Sequence, residues 1–205
     1  MKEHQDYIRD IAEMRSMMER SSKFLSLSGW AGIMAGIYAL AGAYIAYKVF
    51  HFNPDRIVYD TRALPSGLVY VFLVAGAVLV LAIGTAFYVS YRNALRRDEQ
   101  FWNNTAKRLM INMAVPLIVG GVVIMIVFFQ GLIGLIAPFT LIFYGLALYN
   151  AGKYTYDEIR SLGLVEIALG LASTWFVEYG LLFWAIGFGI VHIIYGIYMY
   201  YRYER

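Results

Sequence analysis

The stretch LMINMAVPLIVGGVVIMIVFFQGLIGLIAPFTLIFYGLALYNAG, residues 109–152, contains no Asp, Glu, Lys or Arg. As one helix it would measure about 66 Å at ~1.5 Å per residue, roughly twice the ~30 Å hydrocarbon core of a bilayer. Gln130-Gly131, with Gly134 close behind, is where such a helix should break. The run therefore predicts two membrane-crossing helices, each about 20 residues long.

The same logic extends outward. Charge is also absent from 24–47, 63–91 and 179–201, and each run is long enough to cross hydrocarbon. Between Ile159 and Val177 a further apolar segment is interrupted by Glu166, and a turn at Glu178-Tyr179-Gly180 follows it. The expected fold is an all-α polytopic membrane protein with six transmembrane helices. Their approximate spans are 24–47, 67–91, 109–129, 132–150, 159–177 and 181–201, forming one bundle over 24–205. Composition agrees: 60% of residues are hydrophobic and 15% charged, against about a quarter charged in soluble domains.

Cysteine is absent, which excludes disulfides, a thiolate nucleophile and thiolate metal ligation. The segment 1–23 is charged and lacks the apolar core of a cleavable signal, so none is expected. A net charge of +3 gives no reason to expect a nucleic-acid partner. The basic residues instead report topology. With the N-terminus inside, fourteen Lys and Arg fall on cytoplasmic segments. Only Lys48, Arg56 and Arg62 fall outside. That asymmetry predicts that both termini are in the cytoplasm. Tyrosines gather at span ends (Tyr44, Tyr47, Tyr88, Tyr91, Tyr149, Tyr198, Tyr200 and Tyr201), as interfacial anchors do.

Residues 1–23 read as an amphipathic cytoplasmic helix. Tyr7, Ile11, Met14, Met18, Ser21 and Leu25 follow alternating steps of four and three, a narrow apolar seam. Five basic and five acidic side chains balance each other there, so attraction to anionic lipid should be weak. The seam is suited to docking under the chain's own bundle, to a protein partner or to a second copy of the chain. Arg96–Arg108, with Phe101 and Trp102, is a second interfacial candidate.

Each even-numbered span carries Gly followed four residues later by Tyr: Gly84 and Tyr88, Gly145 and Tyr149, Gly196 and Tyr200. The odd spans carry Gly36, Gly120 with Gly121, and Gly170 near mid-membrane. The chain thus reads as three successive helical hairpins of one plan. In lipid, glycine allows close helix approach, so Gly32, Gly36, Gly84, Gly145 and Gly196, and also Gly187 with Gly189, are read as packing positions. The hairpin plan, clearest in 163–201, resembles the HdeD-type small membrane proteins. The whole chain also resembles uncharacterised six-span bacterial membrane proteins. Neither resemblance supplies a catalytic motif or an activity to carry over.

Ionisable groups inside a span are costly and usually face protein or water. Glu166 precedes Glu178 by as many positions as His192 follows Gly180. At ~1.5 Å per residue both sit about 18 Å from the intervening turn, so an antiparallel hairpin brings them level. They form either a structural hydrogen-bonded pair or a proton- or ligand-responsive one. Pro116 and Pro138 each remove a backbone donor inside a span and are candidate kinks. The loop Lys153-Tyr154-Thr155-Tyr156-Asp157-Glu158-Ile159-Arg160 is rich in hydrogen-bonding groups. It reads as a capping box, Thr155 with Glu158, or as a cytoplasmic surface carrying Lys153, Tyr156, Asp157, Glu158 and Arg160.

No phosphate-binding glycine loop, zinc-binding His-Glu-x-x-His or glycine-flanked nucleophilic serine is present. The expectation is accordingly no catalysis, no cofactor and no metal. Two roles remain: a sensor, scaffold or accessory subunit, or a small transporter or channel using Glu166 and His192. Polar residues in the spans are few, which favours the first.

Overall fold

A computed structural model describes residues 27–52, 67–96 and 102–205. The expected helix over 1–23, with its apolar seam, lies outside them. The described residues are all-helical, with no strand among them. Helix α1 is Gly29–Lys48, α2 Leu68–Arg96, α3 Asn104–Phe129, α4 Ile136–Ala151 and α5 Asp157–Trp175. The last helix, α6, runs Gly180–Trp184, widens through Ala185–Val191, returns to α-helix over His192–Met199 and widens again over Tyr200–Glu204.

Local chemistry sets the ends. Ser28 caps α1 by accepting the Trp30 N–H at 3.2 Å, and Asn103 caps α3 by accepting the Ala106 N–H at 2.8 Å. Helix α3 stops at Phe129. Gly131 then adopts φ 76°, a left-handed conformation that glycine takes without steric cost. A single 3₁₀ turn, Ile133–Leu135, leads into α4. Two expectations are corrected here. Pro138 sits in the first turn of α4, where no intrahelical N–H bond is available to lose, so it interrupts nothing. Thr155 is not the cap of α5. The capping residue is Tyr156, which makes no side-chain cap bond.

Among the described residues, five stretches are long and apolar enough to cross a membrane: α1, α2, α3, Ile133–Ala151 and Val177–Glu204. Helix α5, with 19 residues, is not among them, because Asp157, Glu158, Arg160 and Glu166 dilute its apolar character. It packs closely against α4 and also touches α6. Helix α1 lies between α2 and α6, and α3 lies against α4. The outward faces of α2 and α3 are apolar (Val69, Leu73, Val80 and Ile83; Val115, Val119, Val122 and Ile126), the inverse of a water-facing surface.

Two of the bundle's interfaces are copies of each other. Between α4 and α5, a Cβ on Gly145 would lie 2.6 Å from the Gly163 carbonyl oxygen and 2.8 Å from the Ile167 backbone nitrogen. One on Gly170 would lie 2.9 Å from the Ile142 nitrogen and 3.0 Å from the Pro138 oxygen. Between α6 and α1, a Cβ on Gly196 would lie 2.6 Å from both the Gly29 oxygen and the Ile33 nitrogen. One on Gly36 would lie 2.6 Å from the Gly189 oxygen and 3.1 Å from the Ile193 nitrogen. Backbone meets backbone at the same motif positions each time. Gly-x-x-x-Ile-x-x-Gly appears on the odd helices (Gly29, Ile33, Gly36; Gly163, Ile167, Gly170). Ile-x-x-Gly-x-x-x-Tyr appears on the even ones (Ile142, Gly145, Tyr149; Ile193, Gly196, Tyr200). Such contact yields dispersion and Cα–H···O attraction that any larger residue would block.

The chain's last turn closes the bundle. Glu204 accepts from Ser28 Oγ at 3.0 Å and from the Gly29 N–H, placing a carboxylate on the positive end of α1. Tyr203 donates to Glu158 at 2.8 Å.

Candidate functional site

Helices α4, α5 and α6 converge on one buried polar cluster. Glu166 shares a face of α5 with Gly163, Gly170 and Ser173, at the three- and four-residue steps that line one side of a helix. Its side chain is 0% exposed. His192, 5% exposed, opens the α-helical part of α6 directly after the widened segment Ala185–Val191. Helix widening of this kind is frequent at functional positions. Inside that segment is Gly187. A Cβ there would lie 2.5 Å from Glu166 Oε2 and 2.6 Å from Leu141 Cδ2, so the missing side chain is the space the carboxyl occupies.

His192 is fixed on every side. Its Nδ1 lies 2.9 Å from the Gly187 carbonyl oxygen and 3.3 Å from Glu166 Oε1. Its Nε2 lies 3.0 Å from the Tyr144 hydroxyl. A carbonyl can only accept, so Nδ1 carries a proton and donates it to Gly187. In the neutral ring Nε2 then accepts from Tyr144. In the charged ring the donation reverses. Phe188 stacks on the imidazole at 5.8 Å between centroids and 22° between planes, and Tyr144 packs against it at 5.5 Å.

Glu166 is held less well. Neither carboxyl oxygen has a hydrogen-bond partner among the described residues, and the same is true of Ser173 Oγ and Tyr195 Oη. The approach of Oε1 to Nδ1 is therefore a close polar contact rather than a well-directed hydrogen bond. A buried carboxyl in that position depends on the imidazole as its polar neighbour.

The structure thus brings Glu166 and His192 together, at the level the helical rise places them. It adds two residues that the sequence pattern does not assign to the site. Tyr144 comes from a different hairpin, and its sequence signal is the Tyr-Gly pair shared with Tyr195-Gly196. Gly187, a packing position by its sequence context, has a side-chain carboxyl for a neighbour.

The loop residues are largely engaged within the chain. Tyr156 is buried against Tyr203, with ring centroids 4.2 Å apart. Glu158 receives the Tyr203 hydroxyl and pairs with Arg202 at 3.1 Å. Arg160 donates to the Tyr149 hydroxyl and covers that ring at 4.6 Å. Lys153 and Asp157 lie at the surface, and Asp157 adds a negative charge to the positive end of α5. Of the packing glycines, Gly36, Gly145 and Gly196 abut backbone, and a Cβ on Gly32 would lie 3.2 Å from Gly196 Cα. Gly84 has nothing within 4 Å. No family model, curated protein or solved structure matches the chain.

Proposed function

We propose that the chain is a six-span protein of the bacterial cytoplasmic membrane, with both termini inside, acting as a non-catalytic sensor, scaffold or accessory subunit. The observation that carries this reading is the inward closure of the ionisable pair inside its spans. Glu166, His192 and Tyr144 are turned on one another at a three-helix junction, with both imidazole nitrogens engaged. Polar groups that handle a substrate point into a cavity. These tie the third hairpin to the second.

Helix α5 supplies the sixth span in this reading. Its length is close to the ~30 Å required. Asp157, Glu158 and Arg160 sit in its first turn, at headgroup depth, and the remaining charge is Glu166 against His192. The bacterial setting rests on the resemblance to six-span bacterial proteins. The orientation rests on the Lys and Arg asymmetry. Contact with a partner, or with a second copy, falls to residues 1–23.

Two measurements test the reading. Reporter fusions at residues 1 and 205 are expected to report cytoplasm, with the 51–65 loop outside; a periplasmic signal from either terminus overturns the topology. Proteoliposomes holding a pH gradient are expected to leak protons no faster than empty vesicles. A proton flux abolished by Glu166→Gln would make the chain a transporter instead.

A further inference from the structure

His192, Tyr195, Met199 and Tyr203 follow one another along α6 at three- and four-residue steps, the spacing that lines one side of a helix. Tyr195 and Tyr203, with Tyr144 of α4, pack against one buried cluster that includes Leu148, Tyr156, Leu162 and Met199. At one end of this file Tyr144 Oη meets His192 Nε2 at 3.0 Å. At the other Tyr203 donates to Glu158. Tyr195 lies between them along α6. Its hydroxyl is buried and makes no hydrogen bond among the described residues. The ionisable groups near enough to act on it are Glu158, Tyr203, Tyr144 and Tyr156.

The opposite direction from His192 is apolar. Phe188 stacks on the imidazole, and Trp184 packs on Phe188 with ring centroids 5.1 Å apart. Leu141 and Pro138 are fully buried there. Ser173, the next polar side chain on that face of α5, is about two turns beyond Glu166. Between them Gly170 is pressed against the backbone of Pro138 and Ile142. Helix α1 meets this part of α6 with Gly32, Gly36 and Leu40, while its Tyr38 bonds to Thr85 of α2. Among the described residues, the ionisable groups facing His192 are thus Tyr144 and Glu166, with Tyr195 one turn further along.

We propose that Nε2 of His192 is a proton-binding site filled from the Tyr195 side alone, through Tyr144, with ionised Glu166 as its counter-charge. The ring has a full set of partners in both states. The Gly187 carbonyl accepts from Nδ1 in each. A hydroxyl both donates and accepts, so Tyr144 serves the neutral ring as donor and the charged ring as acceptor. In the step, Tyr144 Oη gives its proton to Nε2 and takes one from the Tyr195 hydroxyl, directly or across one water molecule. Tyr195 is reprotonated from cytoplasmic water at the Glu158 end. One proton is gained, and neutral imidazole becomes imidazolium 3.3 Å from Glu166. Proton uptake therefore turns the polar contact between α5 and α6 into an ion pair shielded from solvent. The inference rests on the topology and the closed pair proposed above, and it gives the sensor reading a ligand, the proton.

The test uses the full chain with one histidine, made by His4→Gln and His51→Asn. His51 adopts φ 49°, which Asn tolerates. In proteoliposomes sorted for one orientation, the infrared bands of the imidazole are followed after protons are released by a light flash on one side. Release on the cytoplasmic side is expected to convert His192 from neutral to charged. Tyr195→Phe is expected to slow that conversion roughly tenfold or more while leaving Tm unchanged, because the hydroxyl removed has no hydrogen bond to lose. Release on the outer side should leave the ring neutral. A ring that keeps one charge state between about pH 5 and 8 overturns the proposal and leaves the structural lock standing. Unchanged speed in Tyr195→Phe, or an equal response from both sides, overturns it as well. Failure of the non-transporting reading itself shows separately, as proton flux through the same vesicles.

Discussion

Gly196→Leu is expected to unseat α1 from α6 and to lower stability by about 3 kcal/mol or more. A Cβ alone would sit 2.6 Å from the Gly29 carbonyl oxygen and from the Ile33 nitrogen. Those are backbone atoms, so no side chain can swing aside; the helices must move apart along the whole contact. Separation would also draw Glu204 away from Ser28 and Gly29, removing the cap that the chain's end places on α1. The check is thermal unfolding in detergent, compared with Gly76→Leu. Gly76 has open space around it, and its replacement should leave Tm within error. Equal Tm values for both variants would mean that the α1–α6 seam contributes little.

The second large effect is expected from His192→Leu. Leucine approximates the ring's volume but withdraws the imidazole from Glu166, whose oxygens have no hydrogen-bond partner among the described residues. It also deprives the Tyr144 hydroxyl of its hydrogen-bond partner. Leaving buried polar groups unmatched costs about 1–3 kcal/mol each, so a loss of about 2–4 kcal/mol is expected. Glu166→Gln should cost less, about 1 kcal/mol, because His192 keeps Gly187 and Tyr144. Thermal melts in one detergent measure both. A His192→Leu protein as stable as the parent would show that the carboxyl is satisfied by something other than the imidazole.

The helical class is legible in the sequence because charge-free runs of membrane length leave few alternatives. So is the matched depth of Glu166 and His192, because helical rise is fixed and one tight turn joins their helices. Tyr144 is out of reach of that logic: it belongs to another hairpin, and nothing local specifies which helices meet. The Glu204 cap on α1 joins residues some 175 apart and has no local signature. Gly187 and Gly84 show the limit of reading glycine as close packing. One leaves room for a carboxyl, and the other faces nothing. Pro138 misleads for a simpler reason. Its effect depends on whether it falls in a helix's first turn, and α4 starts only two residues before it. The count of apolar spans hinges on α5, where Asp157, Glu158, Arg160 and Glu166 offset a length suited to crossing.

The most direct measurement is the stability coupling between Glu166 and His192, from thermal or denaturant unfolding of the parent, Glu166→Gln, His192→Leu and the double variant. If the pair locks the third hairpin to the second, Glu166→Gln leaves only a neutral amide, rather than a carboxyl, for His192→Leu to strand. The double variant is then expected to lose less than the two single losses combined, by about 1 kcal/mol. Additivity to within about 0.3 kcal/mol would contradict the lock and leave two unrelated buried groups in its place.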